Sequence, residues 1–187
     1  MLRIIDIAEQ PCHVICQIEP LTYAVISIRF EVECPSAVDV MPFHWLAEWG
    51  KKPPLDVRLN AITGQFESVQ IILQDELIAD IADGTKEHGK HSRKIGVPIF
   101  ERVPWGRGPD DTNRRYVSER LDVKLAWTAE HEISVRLGSD STALETEYRI
   151  DDSLSLLMNS NAYLTGFYLS GITPKDRELL RQAKLTV

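Results

Sequence analysis

At 187 residues the chain is long enough for one domain with a substantial core, and its 43% hydrophobic and 26% charged residues are those of a globular protein rather than a disordered one. A formal net charge of −7 argues against nucleic acid as the partner, because duplex binding needs a basic face that releases counterions. No apolar run approaches the roughly 20 residues of a membrane-crossing helix, the opening Met1-Leu2-Arg3-Ile4-Ile5-Asp6 lacks the pattern of a secretory signal, and three cysteines fit a reducing compartment better than a disulfide framework. The expected location is cytoplasmic, with no membrane partner.

Residues 1–7 are apolar and read as strand or helix. Residues 13–18 and 24–34 read as strands. In the second, Ile26, Ile28, Phe30 and Val32 alternate with Ser27, Arg29 and Glu31, the period of a half-buried strand. Pro35 ends it, because proline cannot donate to a ladder. Cys12, Val14, Cys16 and Ile18 share one strand face, so the cysteines read as small packed hydrophobes rather than metal ligands beside His13.

Residues 41–50 (MPFHWLAEWG) read as one or two helical turns that place Trp45 and Trp49 on one face, as core or as an aromatic anchor for a partner. Pro53-Pro54 ends them. A hairpin follows over 55–73, turning at Thr63-Gly64, and its opening Leu55-Asp56-Val57-Arg58-Leu59 returns almost unchanged as Leu121-Asp122-Val123-Lys124-Leu125. Residues 75–83 are acidic and read as helical or extended.

Regularity falls from 84 to 120. Between Lys86 and Arg120 stand nine basic and five acidic residues, so this segment is basic within an acidic chain. One strand is expected at 95–103; a loop of such length is functional or disordered. His88, His91, Asp83 and Glu87 offer zinc-type ligands, but Lys86, Lys90, Arg93 and Lys94 would repel a cation, so no metal and no cofactor are expected.

The second hairpin spans 121–137. The third joins 154–158 to 164–169 through Asn159-Ser160-Asn161. Thr173-Pro174-Lys175-Asp176 supplies an N-cap hydroxyl, a proline in the first turn and an acid at the third position, which predicts a helix over 174–185 docked through Leu179 and Leu180. The expected fold class is α+β: one twisted, mainly antiparallel sheet of hairpins, about seven to nine strands, with a C-terminal helix. Residues 1–187 form a single domain in this reading. No G-x-S-x-G elbow, P-loop or H-E-x-x-H is present, and no catalytic residue is expected.

Two segments carry a resemblance. The run from Leu59 through Thr63-Gly64-Gln65-Phe66-Glu67-Ser68 to Leu73 is one, and Asn161-Ala162-Tyr163-Leu164-Thr165-Gly166-Phe167-Tyr168-Leu169 before Gly171-Ile172-Thr173-Pro174 is the other. They resemble the hairpins of β-rich bacterial immunity proteins from polymorphic and contact-dependent growth inhibition toxin systems. The resemblance implies a non-catalytic protein that binds a cognate protein toxin domain, in many cases a basic nuclease, and occludes its active site. Carboxylates would then face the toxin's phosphate-binding surface and speed encounter. The first candidate surface is Asp75, Glu76, Asp80 and Asp83; the second is Glu130, Glu132, Glu145 and Glu147.

Two other readings stay open. One is a small-molecule-binding or enzymatic β-rich protein whose basic loop closes over an anionic ligand through Arg102, Arg107, Arg114 or Arg115. The other is an oligomeric scaffold that pairs through an exposed edge strand.

Overall fold

Alternation of period two dominates the sequence, and strands dominate the fold. The computed structural model describes residues 1–22, 25–34, 40–50, 52–74, 82–83, 92–102, 105, 115–138 and 146–184, and among these are fifteen strands and one helix. Strands β1 (Ile4–Ala8) and β9 (Val97–Phe100) form a two-stranded antiparallel ribbon. A six-stranded sheet runs in the order β10 (Tyr116–Arg120), β4 (Phe43–Glu48), β5 (Leu55–Leu59), β6 (Phe66–Gln74), β3 (Val25–Glu33), β2 (His13–Thr22). A seven-stranded sheet runs β7 (Ala82–Asp83), β11 (Val123–Ala129), β12 (Glu132–Leu137), β15 (Leu164–Ser170), β14 (Leu154–Met158), β13 (Thr146–Arg149), β8 (Ser92–Ile95). Pairing is antiparallel except at the sheet margins, where β10, β7 and β8 add in parallel. The fold is mainly β with a C-terminal helix.

The expected single sheet is therefore divided. Hairpins of nearly equal composition, β5–β6 and β11–β12, lie in different sheets. One cluster of buried side chains joins them: Phe30, Val57 and Val69 come from one sheet, Val135, Leu156 and Leu169 from the other. Phe66 and Phe167 meet with ring centroids 6.4 Å apart. Strands β14 and β15 bury both faces, while β3 to β5 bury one.

Residues 43–48 are a strand and not helical turns. Phe43, Trp45 and Ala47 are buried, and His44, Leu46 and Glu48 are not. The spacing of Trp45 and Trp49 could not decide this, because residues four apart share a face in a helix and in a strand. The strand expected at 95–103 is interrupted at Gly96 (φ +136°), where a Cβ would lie 2.5 Å from Ile7 Cγ2 and 2.9 Å from the Ala8 carbonyl. The chain thus leaves one sheet as β8 and enters the ribbon as β9.

Helix α1 (Pro174–Lys184) starts as its cap predicts. The Asp176 amide donates to Thr173 Oγ1 (3.2 Å), the Thr173 amide donates to Asp176 Oδ2 (3.2 Å), and Leu180 is buried in the common core. No helix among the described residues is long and apolar enough to cross a membrane.

The expectation of three thiols is overturned. Cys12 and Cys34 form a disulfide with Cα atoms 4.6 Å apart. His13 opposes Glu33 at the end of the β2–β3 ladder, so the next pair outward is Cys12 and Cys34. Their separation is that of a non-hydrogen-bonded antiparallel pair, in which side chains approach most closely. Cys16 keeps its thiol, half-buried on the core side of β2 as the alternation predicts. Burial, with a smaller contribution from the Asp176 carboxylate, pushes that thiol up from 9.0 to about 11. A thiol-specific reagent at pH 7.5 should therefore modify Cys16 about a hundredfold more slowly than an exposed cysteine. Equal rates in a time-course assay would overturn this placement.

Candidate functional site

The pleat of the six-stranded sheet sends one set of side chains into the core and the opposite set outward. Outward rows cross it in register. His44 opposes Arg58, Arg58 opposes Ser68, and Ser68 opposes Glu31; in the next row Asp56 opposes Gln70, and Gln70 opposes Arg29. These residues bond along and across the strands. His44 Nδ1 lies 3.0 Å from both oxygens of Asp56. Arg58 donates from Nε to Asp56 (3.2 Å) and from Nη2 to Gln70 Oε1 (3.3 Å), and Gln70 Nε2 donates to Ser27 Oγ (2.9 Å). Arg29 Nη2 pairs with Glu31 at 2.9 Å. The exposed ring of Tyr116 stacks on His44 at 4.6 Å.

This network borders a cleft of about 900 Å³. Arg29, Arg58, Ser68, Glu31 and Glu33 line it, together with the Cys12–Cys34 disulfide; Pro11, Val40 and Pro42 supply apolar surface. Two of its polar atoms stand apart from the network. Ser68 Oγ and Arg29 Nε are buried and have no hydrogen-bond partner among the described residues, although Ser68 is only 1% exposed. Buried polar groups are nearly always paired, and leaving one unsatisfied costs about 1–3 kcal/mol. Both atoms are closed to water, so they mark strain beneath the cleft wall and not donors offered to its interior.

The acidic residues singled out in the sequence are distributed otherwise. Asp75, Glu76, Asp80 and Glu145 lie outside the described residues; Asp83 lies on β7, its backbone paired with Trp127 of β11. Glu130 is exposed in the β11–β12 turn, where its carbonyl accepts from Arg177. Glu132 accepts from Thr128 Oγ1 (2.6 Å) and Ser170 Oγ (2.9 Å). Glu147 is 7% exposed, accepts from Ser155 Oγ at 2.9 Å and pairs with Arg93 at 3.2 Å. Glu132 and Glu147 sit on β12 and β13, which β15 and β14 separate. Both bond within the seven-stranded sheet.

Of the arginines named for an anionic ligand, the two among the described residues, Arg102 and Arg115, do not line the cleft. Arg102 donates to the Ala61 carbonyl and Arg115 to the Met41 carbonyl, while Arg107 and Arg114 lie outside the described residues, as do His88 and His91. Trp45 is core, 1% exposed, with Nε1 donating to Glu119; Trp49 is half-buried, with Nε1 donating to the Pro53 carbonyl. Trp105 is fully buried, stacked on Phe43 at 5.4 Å and bonded to the His44 carbonyl.

Among the described residues no three His, Cys, Asp or Glu side chains converge as a metal site. The chain matches no protein-family model, and no curated protein is significantly similar to it.

Proposed function

We propose that this chain is a non-catalytic immunity protein, one that binds a cognate bacterial toxin domain and neutralises it by covering the toxin's active site. The observation that carries the reading is the outward face of the six-stranded sheet. Its polar side chains are cross-linked into a rigid network beside a cleft, on a chain of net charge −7. A face of this kind suits recognition, because its groups are held in place before a partner arrives and little ordering is lost on contact. The acidic balance steers such a chain toward a basic partner, the character that a polyanion-cleaving toxin must have. The reading places the protein in the cytoplasm, where such a toxin acts.

The test begins with the reading frame neighbouring this chain's own, where the proposal expects a toxin-like domain. Co-expression is expected to restore growth that the domain alone arrests, and the two purified proteins are expected to form a complex whose association slows as salt rises. Growth arrest that persists in the presence of this chain would overturn the proposal, as would turnover of a small substrate by the chain alone.

A further inference from the structure

We propose that the Cys12–Cys34 bond is a site of thiol exchange, at which a small monothiol attacks Cys12 from the cleft and Cys34 departs as the thiolate, leaving Cys12 in a mixed disulfide. The inference is independent of the partner's identity and adds a covalent modification site at the wall of the cleft. Three observations define it. Both cysteines are half-buried and line the cleft, whose volume of about 900 Å³ holds a monothiol of tripeptide size. Gln65 Nε2 donates to Cys34 Sγ at 3.3 Å. The third cysteine, Cys16, is out of reach of the bond.

The sheet puts the Gln65 donor in place. Glu31 opposes Ser68 on the β3–β6 ladder, and the same register carried three residues outward sets Cys34 beside Gln65. The β5–β6 turn holds Gln65 through its main chain, whose amide donates to Thr63 Oγ1 and whose carbonyl accepts from Asn60. Its side-chain amide then meets the sulfur of Cys34. A hydrogen bond strengthens as its acceptor ionises, so this one favours charge that develops on Cys34. Exchange is faster when the departing thiol is the more acidic, and the sulfur attacked is then the other one. The polarity follows. The incoming thiolate bonds to Cys12 Sγ, the S–S electron pair passes to Cys34 Sγ, and the proton of the monothiol goes to water.

Cys16 cannot act as the attacking thiol. It lies four residues along β2 from Cys12, about 13 Å at the rise of a strand. Burial also pushes its thiol up to about 11, so little of it is thiolate near neutral pH. The mixed disulfide therefore has two fates: return of Cys34 with release of the monothiol, or attack by a second monothiol that frees both cysteines. Opening loosens the rung beside His13 and Glu33, which line the cleft, so the balance of thiol and disulfide around the protein is read at the cleft wall.

The probe is reduced glutathione, added at pH 7.5 to the folded, disulfide-bonded protein. The reaction is stopped with iodoacetamide and read by intact mass and by tryptic peptides, which cleavage at Arg29 separates into one carrying Cys12 and one carrying Cys34. One glutathione on Cys12 and alkylation of Cys34 are expected, with fragmentation to tell Cys12 from Cys16. Gln65→Leu should slow the opening about fivefold, the worth of one hydrogen bond, and divide the adduct between Cys12 and Cys34. Gln65→Glu should slow it further, because a carboxylate opposes the departing thiolate. The proposal is overturned if the folded protein takes no glutathione, if the adduct sits on Cys34, or if Gln65→Leu opens at the native rate. It is overturned too if Gln65→Leu lowers the urea midpoint of the oxidised and reduced proteins alike and leaves the adduct on Cys12, which is how a glutamine that serves only the fold would behave.

Discussion

Replacing Gly166 with alanine is expected to lower the stability of the protein by about 3 kcal/mol, read as a fall in the urea midpoint at unchanged slope. The reason is backbone, not side chain. Gly166 lies in β15, between β12 and β14 in the middle of the seven-stranded sheet. A Cβ there would stand 2.2 Å from the Val135 carbonyl oxygen and 3.3 Å from its carbon. Neither atom can rotate away. The pairing slips here as well: Leu157 opposes Gly166 but Met158 opposes Leu164, so Thr165 is the extra residue of a bulge, tied by its hydroxyl to the Leu157 carbonyl at 3.1 Å. Admitting a methyl group means parting β12 from β15 where Val135 opposes Phe167, and Phe167 is the side chain that meets Phe66 of the other sheet. Gly50 is the control. It has φ +83° but nothing within 4 Å of its missing Cβ, so alanine there should cost only about 1 kcal/mol, the backbone term alone. Equal losses at the two sites would mean that β15 does not sit against β12 in this register.

What could be read from the sequence was what neighbours in the chain decide. The strands at 13–18 and 24–34, the three hairpins and the capped helix follow from alternation and turn chemistry, and the structure has them. In two of those turns an asparagine does the same work: Asn60 Oδ1 accepts from the amides of Ile62 and Thr63, and Asn159 Oδ1 from those of Asn161 and Tyr163. Assignment of hairpins to sheets was not legible, because Leu55-Asp56-Val57-Arg58-Leu59 and Leu121-Asp122-Val123-Lys124-Leu125 say the same thing locally and differ only in distant partners. The disulfide was legible in principle. Cys12 and Cys34 flank the two runs that read as adjacent strands, and antiparallel pairing of those strands, His13↔Glu33 to Thr22↔Val25, brings them opposite each other; weighing cysteine number over cysteine position hid it.

The candidate site was hidden for a different reason. Its residues come from β2, β3, β5 and β6, and in each strand a polar residue at an outward position looks like ordinary solvent-facing alternation. Only the folded sheet reveals that Ser68 is covered and Arg29 Nε unpaired. Acidic density along the chain pointed instead to Asp75, Glu76, Asp80 and Asp83, of which only Asp83 lies among the described residues, and to Glu130, Glu132, Glu145 and Glu147, of which Glu132 and Glu147 bond within the seven-stranded sheet. Linear density cannot separate a carboxylate that faces a partner from one that bonds its own neighbours.

Reduction of the Cys12–Cys34 bond is expected to lower stability by about 3 kcal/mol, the loop-closure entropy that returns to the unfolded chain when a cross-link of this span opens. The native state loses little by comparison, since the two cysteines extend a ladder in which β2 and β3 are already paired from His13↔Glu33 to Thr22↔Val25. The measurement is the urea midpoint with and without a reductant, beside a Cys12→Ser/Cys34→Ser variant that should match the reduced protein and ignore the reductant. Thiol counting under denaturing conditions supplies the second reading: one thiol per chain before reduction, that of Cys16, and three after. Three thiols at the outset, in protein taken from the cell with thiols blocked at lysis, would mean that the bond is open where the protein works, as a reducing cytoplasm requires. One thiol in the same experiment would place the protein in an oxidising compartment and count against a cytoplasmic neutraliser. The same bond lines the cleft, so its opening also frees the strand ends that carry His13 and Glu33, and the reduced protein should still fold but show amide NMR shifts confined to those ends.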